Sequence, residues 1–209
     1  MKVLFDNPIL NFFSKLLDLA ILNILTIVCC VPIITIGATF TAAHYTALKI
    51  RRNEGYVISN FFSSFKENFK QSTLIWLGLV VHVTVAVTAW LLAHNIGGTV
   101  TTFMIGAIAV LLIFTLLGCI WIFPLQSKFI NPIRITIRNS FLLAFKHLFT
   151  TLSMIAMYLI PVMLMWIIPT KWYLAFLLLV GVSAPFYWCA MMYDKVFENI
   201  EEEITKTVQ

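Results

Sequence analysis

The sequence predicts an all-α protein, a polytopic transmembrane helical bundle with two cytoplasmic amphipathic segments. The chain of 209 residues is 61% hydrophobic and only 11% charged, which is more apolar surface than a soluble domain of this size can bury. Runs of eighteen or more apolar residues recur along it, as in membrane-spanning helices. The alternation of a β-barrel is absent, so helices are the expected spanning structure.

The first apolar region has two interpretations, because Pro32 and Gly37 interrupt it. In one, residues 16–43 form a single long span that is kinked at Pro32. In the other, the chain turns at Pro32–Gly37 and returns as a shorter helix over Ala38–Ile50, which is rich in small residues that favour close packing in a bilayer. A partly crossing, re-entrant segment is a third possibility, since the return helix is short for a crossing.

Four later spans are clearer, and they are predicted over Leu74–His94, Val100–Phe123, Leu148–Ile168 and Trp172–Tyr193. Most Lys and Arg residues lie in the long connections 49–72 and 125–147, whereas the short turns between spans hold only Lys171. The positive-inside rule places both long connections in the cytoplasm. We therefore predict a multi-pass protein of the plasma membrane with six spans and both termini cytoplasmic, or five spans if the first region is one kinked span.

One pattern occurs twice, eighty residues apart: the stretch from Phe61 to Phe69 matches that from Phe141 to Phe149, and each leads into an apolar run. The whole chain, residues 1–209, is predicted to be one membrane domain. The pattern allows a parallel repeat of about 38–94 and 100–168, although short self-similarity in a phenylalanine-rich chain is weak evidence.

Each copy of this pattern carries basic side chains beside an apolar helix face, as in a helix that lies in the headgroup region or docks on a partner. The candidate residues for lipid contact or docking are Lys66, Lys70, Arg134, Arg138 and Lys146.

Polar residues inside predicted spans are the other candidates for function, because they are costly in lipid. His82 lies near the middle of its span, Asn23 lies in the first span, and Asp18 follows Lys15 at helix spacing. Pro32 and Gly37 mark a possible helix break of the kind at which transporters bind substrate. The other histidines, including His44, are expected to be ordinary interfacial residues.

Several classes of function are disfavoured. The four cysteines lie in apolar runs without ligand spacing, so neither a disulfide framework nor a metal site is expected. No catalytic or phosphate-binding motif is present, and we predict no enzyme and no cofactor. The net charge of +5 comes from the connections between spans rather than from a solvated basic domain, so nucleic-acid binding is not expected.

A set of short motifs along nearly the whole chain resembles the YesL-like family of bacterial integral membrane proteins. The motifs are Asn7-Pro8-Ile9, Leu16 with Asp18, Leu22-Asn23, Pro32 with Thr35, Gly37-Ala38-Thr39, Lys49, Arg51, Glu54-Gly55, Phe62-x-Ser64-Phe65-Lys66-x-Asn68-Phe69-Lys70-Gln71, Phe123-Pro124-Leu125, Phe129-x-Asn131, Asn139 and Ala144-x-x-His147-Leu148. The resemblance implies a membrane protein without an established activity, often associated with carbohydrate uptake systems of the ABC type and with sensor kinases.

Two functions follow as hypotheses. The first is an auxiliary or scaffold component that partners ABC sugar permease subunits or a sensor kinase. The alternative is a small solute transporter or channel in its own right.

Overall fold

A computed structural model of the protein describes residues 8–208. Residues 1–7 and 209 lie outside it, and with them Asn7 and the N-terminal end of the chain. The eight α-helices of this part are α1 Pro8–Cys30, α2 Ile36–Arg52, α3 Val57–Ile96, α4 Gly98–Lys128, α5 Ile133–Lys146, α6 Leu148–Ile167, α7 Thr170–Phe176 and α8 Ser183–Val208. A 3₁₀ turn over Ile33–Thr35 precedes α2, and a π-helical turn over Leu177–Gly181 precedes α8. Residues 8–208 contain no β-strand, so the all-α prediction is confirmed.

Four stretches in these helices are long and apolar enough to cross a membrane: Leu10–Cys30, Val57–Asn95, Gly98–Lys128 and Leu148–Ile167. A fifth is obtained if Thr170–Gly181 and Ser183–Glu203, which meet at a bend of 46°, form one broken span. The chain is therefore a multi-pass membrane protein. Four or five spans are fewer than the six predicted, and the predicted return span Ala38–Ile50 is not among them.

The reason is the length and composition of α2, which has 17 residues and carries Lys49, Arg51 and Arg52 in its last turn. Its position agrees with this. The hydroxyl of Thr41 lies 2.8 Å from that of Ser72, and a Cβ on Gly37 would lie 2.6 Å from Cβ of Trp76. Since the chain enters α3 only five residues after α2 ends, α2 runs antiparallel to residues 57–76 of α3. Most of that part of α3 precedes the apolar stretch that begins at Leu74. Helix α2 therefore lies beside the polar extension of α3 and not beside its apolar part.

The chain is also not one kinked span through Pro32. The hydroxyl of Thr39 donates to the carbonyl of Cys29 at 3.0 Å, whereas ten residues along a continuous helix would be separated by about 15 Å. Thr35 donates to the same carbonyl at 2.6 Å. The chain thus folds back at Pro32, which cannot continue α1 because it lacks an N–H donor.

Burial is concentrated at one end of the bundle, which we call the packed end: α2, residues 57–76 of α3, residues 118–128 of α4, α5 and residues 183–201 of α8. All buried residues of α4 except Thr101 lie between Gly118 and Ser127. The largest fully buried side chains at this end include Phe61, Trp121, Phe186, Tyr193 and Phe197. The rest of α3 and α4 forms a hairpin with a mostly exposed apolar surface, as expected of helices that face lipid.

The two copies of the eighty-residue pattern have different structures. The first lies within the continuous helix α3, whereas the second ends α5 at Lys146 and resumes in α6 at Leu148. Phe61 is fully buried and Phe65 packs against the core, so the apolar face of the first copy is covered mainly by this protein itself. Phe145 and Phe149 of the second copy are exposed. A duplication stays a prediction.

Candidate functional site: a cavity between α2, α3, α4 and α6

A cavity of about 470 Å³ lies at the foot of the α3–α4 hairpin. Its wall on α3 extends from Trp76 to Thr84 and its wall on α4 from Thr115 to Phe123. Phe40 and His44 of α2 and Tyr158 of α6 complete the lining. This volume is in the range of small-molecule binding sites.

The cavity exists because α2 begins at the height of Trp76 and does not extend toward the hairpin tip. Trp76 donates its indole N–H to the carbonyl of Ile33 at 2.9 Å, which fixes the start of α2 at the height of Trp76. From Trp76 toward the hairpin tip, α3 no longer has α2 as a neighbour. The space between α3, α4 and α6 at that height is left open.

His44 lies at the inner end of the cavity and is only 3% exposed. Its Nδ1 lies 3.3 Å from the hydroxyl of Tyr193, and its Nε2 lies 3.1 Å from that of Tyr158. The hydroxyl of Tyr193 also donates to the backbone carbonyl of His44 at 3.2 Å. His44 was expected to be an ordinary interfacial residue, whereas the structure buries it with partners from α6 and α8. The signal in the sequence was its setting among Thr41, Ala42, Ala43 and Ala47, which predicts a helix packed on several sides.

The other polar groups of the cavity wall already have partners. Thr84 and Thr115 donate their hydroxyls to carbonyls of their own helices, at 2.8 and 2.9 Å. The remaining lining is carbon, apart from the thiol of Cys119: Phe40, Trp76, Leu79, Val80, Val83, Leu116, Ile120 and Phe123. The cavity therefore offers dispersion contacts and few free hydrogen-bonding groups, which suits an apolar occupant.

His82 lies on α3 beside this cavity. Its Nε2 is 2.9 Å from the hydroxyl of Thr115 on α4, and its side chain is exposed. The structure thus gives His82 a partner on the neighbouring helix, and this contact ties the two helices of the hairpin together.

Asn23 is fully buried, and its amide makes four hydrogen bonds to the backbone where α8 begins. Its Nδ2 donates to the carbonyls of Leu177 and Leu178 at 2.9 and 2.8 Å, and its Oδ1 accepts from the N–H groups of Val182 and Ser183, both at 2.9 Å. These groups belong to the π-helical turn and the residues after it. Asn23 thereby satisfies backbone groups at the bend between α7 and α8, where they would otherwise be costly in lipid.

The remaining candidates of the first region are placed as follows. Asp18 is partly exposed, and no ion pair joins it to Lys15. Pro32 lies at the turn after α1, where the carbonyls of Cys29, Pro32 and Ile33 accept from Thr35, Thr39 and Trp76. Gly37 packs against the backbone of Ser72. The hydrogen bonds to these carbonyls thus stabilise the break between α1 and α2.

Basic side chains at the packed end fall into two groups. The first group pairs within the protein: Arg51 and Arg52 with the buried Asp194, Lys49 with Glu54, and Lys128 with Glu201. The hydrogen bond from Lys49 lowers the pKa of Glu54 below its ordinary value. The second group is exposed and forms no ion pair with another described residue. It consists of Lys195 of α8 and the five predicted docking residues: Lys66, Lys70, Arg134, Arg138 and Lys146.

A buried polar cluster that sequence reasoning missed joins α3 to α4 and α5. Gln126, which is buried, accepts from Gln71 at 3.1 Å and donates to Asn68 at 3.1 Å. Gln71 also donates to the carbonyl of Asn131 at 2.6 Å. Asn68 and Gln71 belong to the motif of the resemblance that runs from Phe62 to Gln71, and the structure gives this motif an internal role. Nothing in the sequence indicated that Gln126 is their partner.

The described residues contain no group of three or more His, Cys, Asp or Glu side chains that could hold a metal ion. The distinctive features of the cavity are its apolar wall and the contacts of His44 with Tyr158 and Tyr193.

Comparison with known proteins gives a family match. Over residues 19–90 the chain is similar to a family described as "Protein of unknown function, DUF624". This stretch is about a third of the chain and includes Asn23, the turn at Pro32, all of α2 and most of α3. The match is compatible with the YesL-like resemblance. No curated protein and no solved structure matches the chain.

Proposed function

We propose that this protein is an auxiliary or scaffold component of the plasma membrane that partners a carbohydrate uptake system of the ABC type or a sensor kinase. The observation that carries the proposal is the division of the basic side chains at the packed end. Four of them are paired with acidic groups of the chain, whereas the five predicted docking residues are exposed and form no ion pair with a described residue. Exposed basic groups beside apolar side chains favour an acidic partner surface through steering and complementarity.

The class of partner comes from the resemblance to YesL-like proteins, with which the DUF624 match is compatible. The proposal includes the orientation predicted from the distribution of Lys and Arg, with the packed end and both termini in the cytoplasm. It assigns no catalytic role and no cofactor to the chain.

A pull-down from native membranes in mild detergent tests the proposal. We expect a permease subunit or a sensor kinase to co-purify with the wild-type protein. The variant Lys66→Glu/Lys70→Glu/Arg134→Glu/Arg138→Glu should recover about tenfold less of it, because each lost charge contact at an interface rim weakens binding moderately.

The matched control is Lys171→Glu, which reverses an exposed charge in the first turn of α7. It should leave recovery unchanged. Equal recovery with the fourfold variant, at equal abundance in the membrane, would contradict docking through these residues. Less co-purified anionic lipid without a change in partner recovery would show that the four side chains serve lipid contact.

A small solute transporter is the second candidate, and the cavity is the observation that favours it. The apolar wall does not suit a sugar, whose hydroxyl groups need hydrogen-bonding partners. Uptake by proteoliposomes that His82→Ala abolishes would favour this candidate over the auxiliary role. Absence of uptake across a broad solute panel would count against it.

A further inference from the structure

The cavity at the foot of the α3–α4 hairpin opens toward lipid rather than toward water. Val83 and Leu116, on its two main walls, are 43% and 50% exposed. Both belong to helix segments that meet the length and hydropathy of a membrane span. The medium that reaches this opening is therefore bilayer hydrocarbon.

The inner end of the cavity is reached through this opening. Phe123 and His44 line it, yet they are only 5% and 3% exposed. Phe40 and His44 belong to α2, which contacts α1, α3, α4 and α8. A molecule that contacts Phe40, His44 and Phe123 has therefore entered the bundle.

The chemistry of the wall selects the occupant. The hydroxyls of Thr84, Thr115 and Tyr158, both ring nitrogens of His44 and the indole N–H of Trp76 have partners inside the protein. A polar solute would lose its hydration without replacement. A hydrocarbon chain loses nothing on entry, and it fills a space that would otherwise lack dispersion contacts.

We propose that this cavity binds one acyl chain of a bilayer lipid, which enters sideways between α3 and α4 and extends to Phe40 and His44 of α2. This inference does not rest on the proposed partnership.

The test uses nanodiscs that contain phosphatidylglycerol with a diazirine near the end of one acyl chain. After irradiation, peptide mapping by mass spectrometry locates the labelled residues. We expect label on Phe40, His44 or Phe123, in addition to the exposed residues that any lipid reaches. Label confined to exposed residues of the wild-type protein would overturn the proposal.

Two variants make the test specific. Val83→Trp fills the cavity from the α3 wall and should lower labelling of Phe40, His44 and Phe123 by about tenfold, because the indole occupies the space in which the acyl chain would make its dispersion contacts. Val85→Trp places the same side chain on α3 at a position that is 62% exposed and does not line the cavity. It should leave labelling unchanged, and equal labelling in the two variants would overturn the proposal.

Leu116→Trp fills the cavity from the α4 wall. It gives a second measurement of labelling that does not depend on whether Val83→Trp folds correctly. It should lower labelling of the same three residues. A water-soluble diazirine serves as the competing probe. If it labels α2 at His44 and the lipid does not, the cavity takes an aqueous solute and the proposal is wrong.

Discussion

Asn23 shows at the scale of one residue what an intramembrane polar group does in this protein. Sequence analysis selected it as a candidate for function because it is polar and lies in an apolar helix. In the structure its amide groups are fully used by the backbone around the π-helical turn. The partners lie up to 160 residues away in sequence, so no local pattern could have identified them.

The first prediction concerns this contact. Asn23→Leu removes the acceptor for the N–H groups of Val182 and Ser183 and leaves both buried without a partner. We expect a loss of about 2–5 kcal/mol in the free energy of unfolding, since each orphaned group costs about 1–3 kcal/mol. Reversible unfolding in mixed micelles measures it.

The control for Asn23 is Asn95→Leu. Asn95 is exposed and donates only to Leu91 of its own helix, so its replacement should change the free energy of unfolding by less than about 0.5 kcal/mol. Similar losses in both variants would mean that the contacts at the bend do not stabilise it.

At the scale of an element, α2 is defined by how closely it approaches α3. A Cβ added to Gly37 would lie 2.3 Å from the carbonyl oxygen of Ser72 and 2.6 Å from Cβ of Trp76. The small residues of α2 were correctly associated with close packing. Their partner is the polar extension of α3. The sequence alone did not identify this partner, because the extension and the span form one continuous helix with no break between them.

The second prediction follows from this close approach. Gly37→Ala should destabilise the protein by about 1–3 kcal/mol, because α2 and α3 have to move apart to admit the methyl group. Gly78→Ala is the matched control, since nothing lies within 4 Å of its added Cβ. It should be neutral or stabilise α3 by up to about 1 kcal/mol. Thermal unfolding of both variants measures the difference, and a neutral Gly37→Ala would contradict the close approach of the two helices.

The third prediction concerns the attachment of α8 to α2. Asp194 is buried and accepts from Arg51 at 2.6 Å and from Arg52 at 2.5 Å. Asp194→Asn removes the buried counter-charge of both guanidinium groups, of which Arg52 keeps only the exposed Glu198. The change should cost about 1–3 kcal/mol, less than a fully buried pair because both arginines keep contact with water. Denaturant unfolding in detergent measures it.

Glu198→Gln provides the comparison for Asp194→Asn. Glu198 is exposed and lies 3.6 Å from Arg52, so its neutralisation should change stability by less than about 0.5 kcal/mol. If both variants lose the same stability, burial of Asp194 does not strengthen the contact.

At the scale of the whole molecule, the packed end and the open hairpin divide the protein into two parts with different solvents. The packed end holds most of the buried polar contacts and the ion pairs of Glu54, Asp194 and Glu201. The hairpin holds long exposed apolar faces. We expect this division to place the turn between α2 and α3 and the connection between α4 and α5 on the same side of the membrane.

The fourth prediction tests this topology in a background without the four native cysteines. Glu54→Cys and Ile130→Cys should both be protected from a membrane-impermeant thiol reagent in intact cells. Gly98→Cys, at the hairpin tip, should react, because α3 and α4 are each long enough to cross. Reaction at only one of positions 54 and 130 would contradict the arrangement. Reaction at both positions, with protection of position 98, would show that the orientation is the reverse of the predicted one.

The fold class and most of the spanning helices follow from the sequence alone, because the cost of exposing polar backbone and side chains to lipid is set by local composition. The sequence also indicated the basic residues that are exposed and the interruption at Pro32, but it left a turn, a kink and a re-entrant segment as alternatives there. Tertiary structure alone decided that α2 lies beside the extension of α3, that His44 is buried between Tyr158 and Tyr193, and that a cavity opens where α2 begins. These features depend on contacts such as the one between His44 and Tyr193, 149 residues apart, and packing across that separation leaves no periodic trace in the sequence.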